Sequence, residues 1–269
     1  MPATRSSSAE PALALALARS LRRCILARVL VLLVVACLPV TLATYHPGMR
    51  SALRGGGSAG RTLPLALVSV AGAMLLASFA TFVAVASKSG GSRRARRAVL
   101  ALDYVGGVLL LSLVAANIET RELVLASLGA TGAALAVLAA LPVRDVTDER
   151  SARRWAARGR RVVAAVFVVL LVDVGLLVAR ATTPRDPPAS RDGVFYAQVV
   201  ASSVLALGFA VLAAYDVDRF STRCPFVLAA GEGEVDRAAC CEWGVQQVWM
   251  DANGLLFRLL QIVLLLEDD

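Results

Sequence analysis

Histidine, cysteine and aromatic side chains are scarce in this chain. The single histidine, His46, and five cysteines, at 24, 37, 224, 240 and 241, do not supply the paired ligand spacing of a structural zinc site. A serine triad fails for a related reason, since no apolar run contains a histidine to act as base. Aromatics make up 6% of residues and form no stacking motif on a basic helix face, so nucleic-acid binding is excluded. No repeat of 20 to 50 residues stands out, and no polar segment is long enough to hold a soluble domain.

Apolar residues fill the space instead. They are 58% of the chain and its mean hydropathy is +0.69, against roughly 45–50% apolar residues in soluble domains. The net charge of +8 comes from arginines placed in short loops between apolar runs. A span needs about 20 apolar residues, which predicts an all-α membrane protein with seven transmembrane helices, at about 25–44, 63–87, 98–117, 123–143, 162–181, 194–218 and 243–266. Residues 1–23 are expected to be a cytosolic basic tail, preferred over a secretory signal, and 24–269 a single membrane domain. The seventh segment contains Asp251, Arg258 and glutamines, so it either spans or dips in and returns. Loops on the side of the amino terminus carry 19 Lys and Arg against 7 on the other, which puts the amino terminus in the cytosol. GGGSAG (55–60) and TTPRDPPAS (182–190) read as turns. Gly106, Gly107, Gly129, Ala130, Gly132, Ala133 and Ala134 are expected to let spans three and four pack closely.

Charges within the spans are the candidates for function, because each costs about 2.5–3.5 kcal/mol at the centre of a helix on insertion scales. Asp103, near Arg96 and Arg97, is expected to pair with them or reach the interface. Asp173, in the middle of span five, needs a proton or a partner. Asp216 closes span six and Asp251 lies about 11 Å into span seven from the same side, so their carboxyl groups are expected to meet. Two carboxylates in contact cannot both ionise cheaply. The pair is therefore read as an ion gate and proton sensor, which releases its proton as the cytosol turns alkaline. Calcium, which takes oxygen ligands at about 2.3–2.6 Å, is the metal expected to replace that proton transiently. Arg258, seven residues beyond Asp251 on the same helix face, is the expected counter-charge to Asp173 or to the pair. Cys24 and Cys37 read as small apolar fillers, whereas the adjacent Cys240 and Cys241 are candidate lipidation sites at the membrane boundary.

At the carboxyl-terminal third, AAYDVDRF (213–220) and VWMDANGLLFRLLQIV (248–263) resemble the two closing elements of the Bax inhibitor-1, or transmembrane Bax inhibitor motif, family. Tyr215 and Asp216 fall on the first element, and Asp251, Phe257 and Gln261 on the second. Residues 21–53 are similar to that family's basic approach to span one, and 117–141 to its short turn between spans three and four. The wealth of Ala and Arg resembles the seven-helix members carried by betaherpesviruses. The resemblance implies a seven-helix bundle of Bax inhibitor-1 type in endoplasmic reticulum or Golgi-derived membranes rather than the plasma membrane. It further implies a pH-sensitive calcium leak that lowers store calcium and protects against cell death. Asp216 and Asp251 would gate it, with lipid, calcium and protons as partners and no cofactor. One departure stands out: some members place an arginine in span two as a latch on the span-six aspartate, yet 63–87 holds no charge, leaving Arg258 as the substitute. The alternative is a multi-pass interaction protein that retains or redirects other membrane proteins, acting through 182–193 or 219–242. An intramembrane aspartyl protease is not expected, because Asp251 lies in VWMD rather than in a GxGD element.

Overall fold

The computed structural model describes residues 9–56, 60, 62–86, 93–141, 149–182, 188–229 and 237–267. Among the described residues every element is helical: α1 (Ala9–Tyr45), α2 (Pro47–Leu53), α3 (Thr62–Ala86), α4 (Arg93–Asn117), α5 (Arg121–Ala140), α6 (Glu149–Thr182), α7 (Pro188–Ala229) and α8 (Arg237–Glu267). Six of them, α1 and α4 to α8, contain stretches long and apolar enough to cross a bilayer, which makes this an all-α, multi-pass membrane protein. In α3 the described apolar stretch runs from Thr62 to Ser78.

Several expected boundaries move. Residue 23 is not a boundary, because the Ala- and Leu-rich segment from Ala9 has nothing to stop a helix and continues unbroken into α1. Ala18 and Leu21 are buried within the bundle, so these residues are part of it rather than a free tail. The seventh expected span is one continuous helix of 31 residues, α8, and does not turn back. An unforeseen element, α2, follows α1. Its N-cap is His46, whose Nδ1 accepts from the Met49 amide at 3.2 Å, and Pro47 sits where its missing N–H costs nothing. Gly55, at φ 81°, turns the chain out of it. Of the loops at 55–60, 182–193 and 219–242, the parts at 57–59, 183–187 and 230–236 lie outside the described residues, as do Asp268 and Asp269.

Contacts in order along the chain set the helix directions. Arg96 and Glu242, Tyr104 and Trp249, then Thr120 and Glu267 meet in sequence, so α4 and α8 run parallel from a near face to a far face. Against α6, Tyr215 lies over Gly159, Gly208 over Val166, and Ser202 beside Asp173, so α6 and α7 run antiparallel. The contact positions on α6 recur every seven residues, the period of a single helix seam. Elsewhere α6 faces outward: 6% of its apolar stretch is buried, against 61% in α8. Hence α8 is the central post, touching α1, α4, α5 and α7, and α6 is a peripheral stave.

Helix ends are capped by partners distant in sequence. On the far face, Arg50 and Arg54 of the α2 segment donate to the carbonyls of Ala116, Asn117 and Ile118 where α4 ends. Glu267 accepts from the amides of Glu119 and Thr120, both at 2.6 Å, where α5 begins. On the near face Arg22 donates to the Leu138 carbonyl near the end of α5. Cys24 of α1 is disulfide-bonded to Cys241 of α8, so Cys24 is a cross-link rather than a filler. Both Cys240 and Cys241 are buried, which corrects their reading as lipidation sites: neither sulfur faces the membrane surface that an acylating enzyme would reach. Cys37 stays a free, half-buried thiol.

Candidate functional site

Asp216 and Asp251 stand on facing stretches of α7 and α8, and their carboxyl groups are in hydrogen-bonding contact. The antiparallel pairing of these helices produces the contact. Phe220 packs on Gly244 toward the near face and Phe209 on Gly254 further in, with the Asp216 level between them. Glycine is needed at 254, since a Cβ there would come within 2.7 Å of the Phe209 ring. Asp216 also bonds to the Gln247 side chain and approaches Arg219 at 3.9 Å. That arginine is half exposed, and such a pair contributes little. Asp251 is 4% exposed, and its Oδ2 has no hydrogen-bond partner.

The pair lines an open cavity of about 510 Å³ between α3, α4, α6, α7 and α8. Leu75, Leu110, Val166, Phe167, Leu170 and Leu212 supply much of its apolar wall. Three acids face it, the third being Asp103 of α4. The expected pairing of Asp103 with Arg96 and Arg97 is not formed. Both arginines bind Glu242 instead, at 3.0 and 3.3 Å. Distance explains the choice, because Arg96 and Asp103 are seven residues, about 10.5 Å of helix, apart. Asp103 is 4% exposed and its Oδ2 is also without a partner. The sequence held a signal for this: Gly107, one turn on and on the same face, marks the side of α4 that meets another helix. Asn253 of α8 lies directly over Gly107, where any Cβ would collide with its amide. Gly106 packs on the Ala71 carbonyl of α3, where a Cβ would come within 3.1 Å. The small residues of α5 behave otherwise, since Gly129 has open space beside it and Gly132 makes an ordinary contact with Leu33.

Arg258 and Asp173 form a separate buried ion pair. Arg258 Nη1 donates to Asp173 Oδ2 and to Gln261 Oε1, and Ser202 Oγ donates to Asp173 Oδ1 at 3.4 Å. Asp173 is fully buried although its neighbours on α6 face outward. Of the two counter-charge roles open to Arg258, the structure forms the one with Asp173. Arg258 also lines the cavity, about 10.5 Å along α8 from Asp251. Among the described residues no three His, Cys, Asp or Glu side chains converge closely enough to hold a bare metal ion. Against protein-family models, curated proteins and solved structures, the chain matches none.

Proposed function

We propose that the chain is a seven-span bundle of Bax inhibitor-1 type, with its amino terminus in the cytosol, that leaks calcium from an internal store under control of the Asp216–Asp251 pair. The observation that carries this reading is the contact between those two carboxyl groups at the wall of one intramembrane cavity. A hydrogen bond between two carboxyls needs a proton on one of them. Losing that proton leaves two like charges that separate, and a divalent cation can then take its place. On this reading the pair is shut while it shares a proton and conducts when it exchanges the proton for calcium. Lower store calcium and resistance to cell death would follow in the cell, in endoplasmic reticulum or Golgi-derived membranes.

The test uses purified full-length protein in vesicles loaded with a calcium indicator. The parent is expected to leak. Asp251→Asn is expected to insert normally and to leak at the protein-free rate, because an Asn–Asp hydrogen bond needs no shared proton. Equal leak from parent and variant would sink the proposal. A cellular effect untouched by both D216N and D251N, with capture of one specific membrane protein, would favour the interaction-protein reading instead.

A further inference from the structure

The cavity beside the carboxyl pair is an open slot with a mostly apolar wall. The partnerless oxygens of Asp103, Asp251 and Asn253 are sealed among protein atoms, so carbon supplies most of its free surface. Helix α3 packs on α4, and α6 on α7, but among the described residues no packed seam joins α3 to α6. The slot therefore opens sideways between those two helices, toward the bilayer. On its α6 wall Val163 and Phe167 remain 50% and 58% exposed. At that depth the surroundings are hydrocarbon rather than water, so what covers the wall is apolar.

The dimensions suit one lipid tail. Along α8 the lining runs from Gln247 to Arg258, about 16 Å of helix, against about 15 Å for one leaflet's half of the hydrocarbon core. The volume of about 510 Å³ falls among pockets that bury a small, largely apolar ligand, about 300–1,000 Å³.

Charge marks the end at which the head lies. On α6, Arg160, Val163, Phe167 and Leu170 recur at three- and four-residue spacing and so share a face, and Phe209, Leu212, Asp216 and Arg219 do the same on α7. Apart from Asp216, each stripe is apolar within the slot and closes with an exposed arginine. Tyr215 packs on Gly159, so the antiparallel helices bring both arginines to the near-face end. Arg219 approaches Asp216 at 3.9 Å and lies over the Phe220 ring, yet stays half exposed. The other basic groups are engaged: Arg96 and Arg97 bind Glu242, and Arg258, at the deep end, binds Asp173 and Gln261.

We propose that the slot is a phospholipid site, in which one acyl tail of an anionic lipid from the near-face leaflet lies between α3 and α6 with its phosphate against Arg160 and Arg219. The apolar wall takes any tail, and the two arginines choose the head, because basic side chains at a membrane surface attract anionic lipid. The site stands apart from calcium conduction, and its occupancy is measured without leak.

Native mass spectrometry of the detergent-solubilised full chain, titrated with dioleoyl phosphatidylglycerol, counts bound lipid directly. The parent is expected to retain this lipid about tenfold more tightly than dioleoyl phosphatidylcholine, which has the same tails and no net charge. Combining Arg160→Gln with Arg219→Gln is expected to erase that preference. Val163→Trp puts a ring where the tail lies and is expected to weaken both lipids about fivefold. If V163W does not fold, Val163→Phe replaces it, with an expected loss of about threefold. Equal retention by the parent and the folded Val163 variant overturns the slot as the tail site, and equal retention by the parent and the double Gln variant overturns the arginines as the head site. A parent that carries no lipid, or that forms a dimer which V163W splits, overturns the proposal, the second outcome in favour of another copy of the chain seated on the slot. None of these results depends on whether the parent leaks calcium, so the lipid site and the conduction reading fail separately.

Discussion

Arg258 of α8 reaches the carboxylate of Asp173 on α6 inside the bundle, where Asp173 is fully buried and Arg258 nearly so. The bond ties the most outward-facing helix to the central one past the edge of α7, and it stands at the wall of the cavity that also holds Asp216 and Asp251.

Breaking that pair from one side leaves a lone buried charge. Arg258→Leu is expected to cost about 3–5 kcal/mol and to lower the thermal midpoint in detergent clearly. Replacing both partners with leucine should recover most of the loss, because two apolar side chains have no charge to desolvate. A double variant as unstable as R258L would mean that the network acts through packing rather than charge. Fluorescence-detected size exclusion after heating reads both.

The contact between Asp216 and Asp251 sets a sign for pH. Their hydrogen bond persists while one proton is shared, so vesicle leak is expected to increase as the pH on the near face is raised and to decline as it is lowered. Asp216→Asn should flatten that profile, since the amide supplies a donor at every pH. Leak measured at stepped pH with constant calcium checks this, and a profile rising toward acid would contradict it.

Helix α6 docks through a narrow seam, and Gly159 is its tightest point. A Cβ there would overlap the Tyr215 ring, so Gly159→Val is expected to destabilise by about 1–3 kcal/mol. Gly129→Val, with open space beside it, should stay within about 0.5 kcal/mol of the parent. Thermal midpoints of the two variants compared side by side decide the matter.

Glu267 caps the first amides of α5 from the end of α8. Glu267→Ala is expected to cost about 1–2 kcal/mol, whereas Glu267→Gln, which keeps an acceptor, should cost less. Amide exchange at Glu119 and Thr120 is the local readout and should quicken in the alanine variant.

Cys24 and Cys241 are expected to resist alkylation until a reductant is added, while Cys37 reacts without it. Peptide mapping by mass spectrometry reads the linkage. On the proposed topology this end of the bundle lies in the cytosol, where thiols are normally kept reduced. Prompt alkylation of Cys24 and Cys241 in freshly isolated membranes would show the pair as thiols there.

Much of the fold was legible in the residues alone, because a bilayer accepts few backbone solutions. Twenty or so apolar residues in a row must become helix in order to satisfy their own amides; six of the expected stretches fall on described helices long and apolar enough to cross, while 63–87 falls on α3, whose described apolar stretch ends at Ser78. Periodicity along α7 and α8 likewise put Asp216 and Asp251 at one depth, and Arg258 and Asp251 on one face. Partners across helices were not legible in this way. Which acid an arginine meets depends on how neighbouring helices rotate about their axes, and side-chain hydropathy does not encode that rotation when lipid and protein interior are equally apolar. Only the packed structure could give Arg96 and Arg97 to Glu242, bring Asp103 to the cavity, join Arg258 to Asp173 and draw Cys24 to Cys241. In each case the deciding quantity was a distance of a few ångströms between elements far apart in the chain.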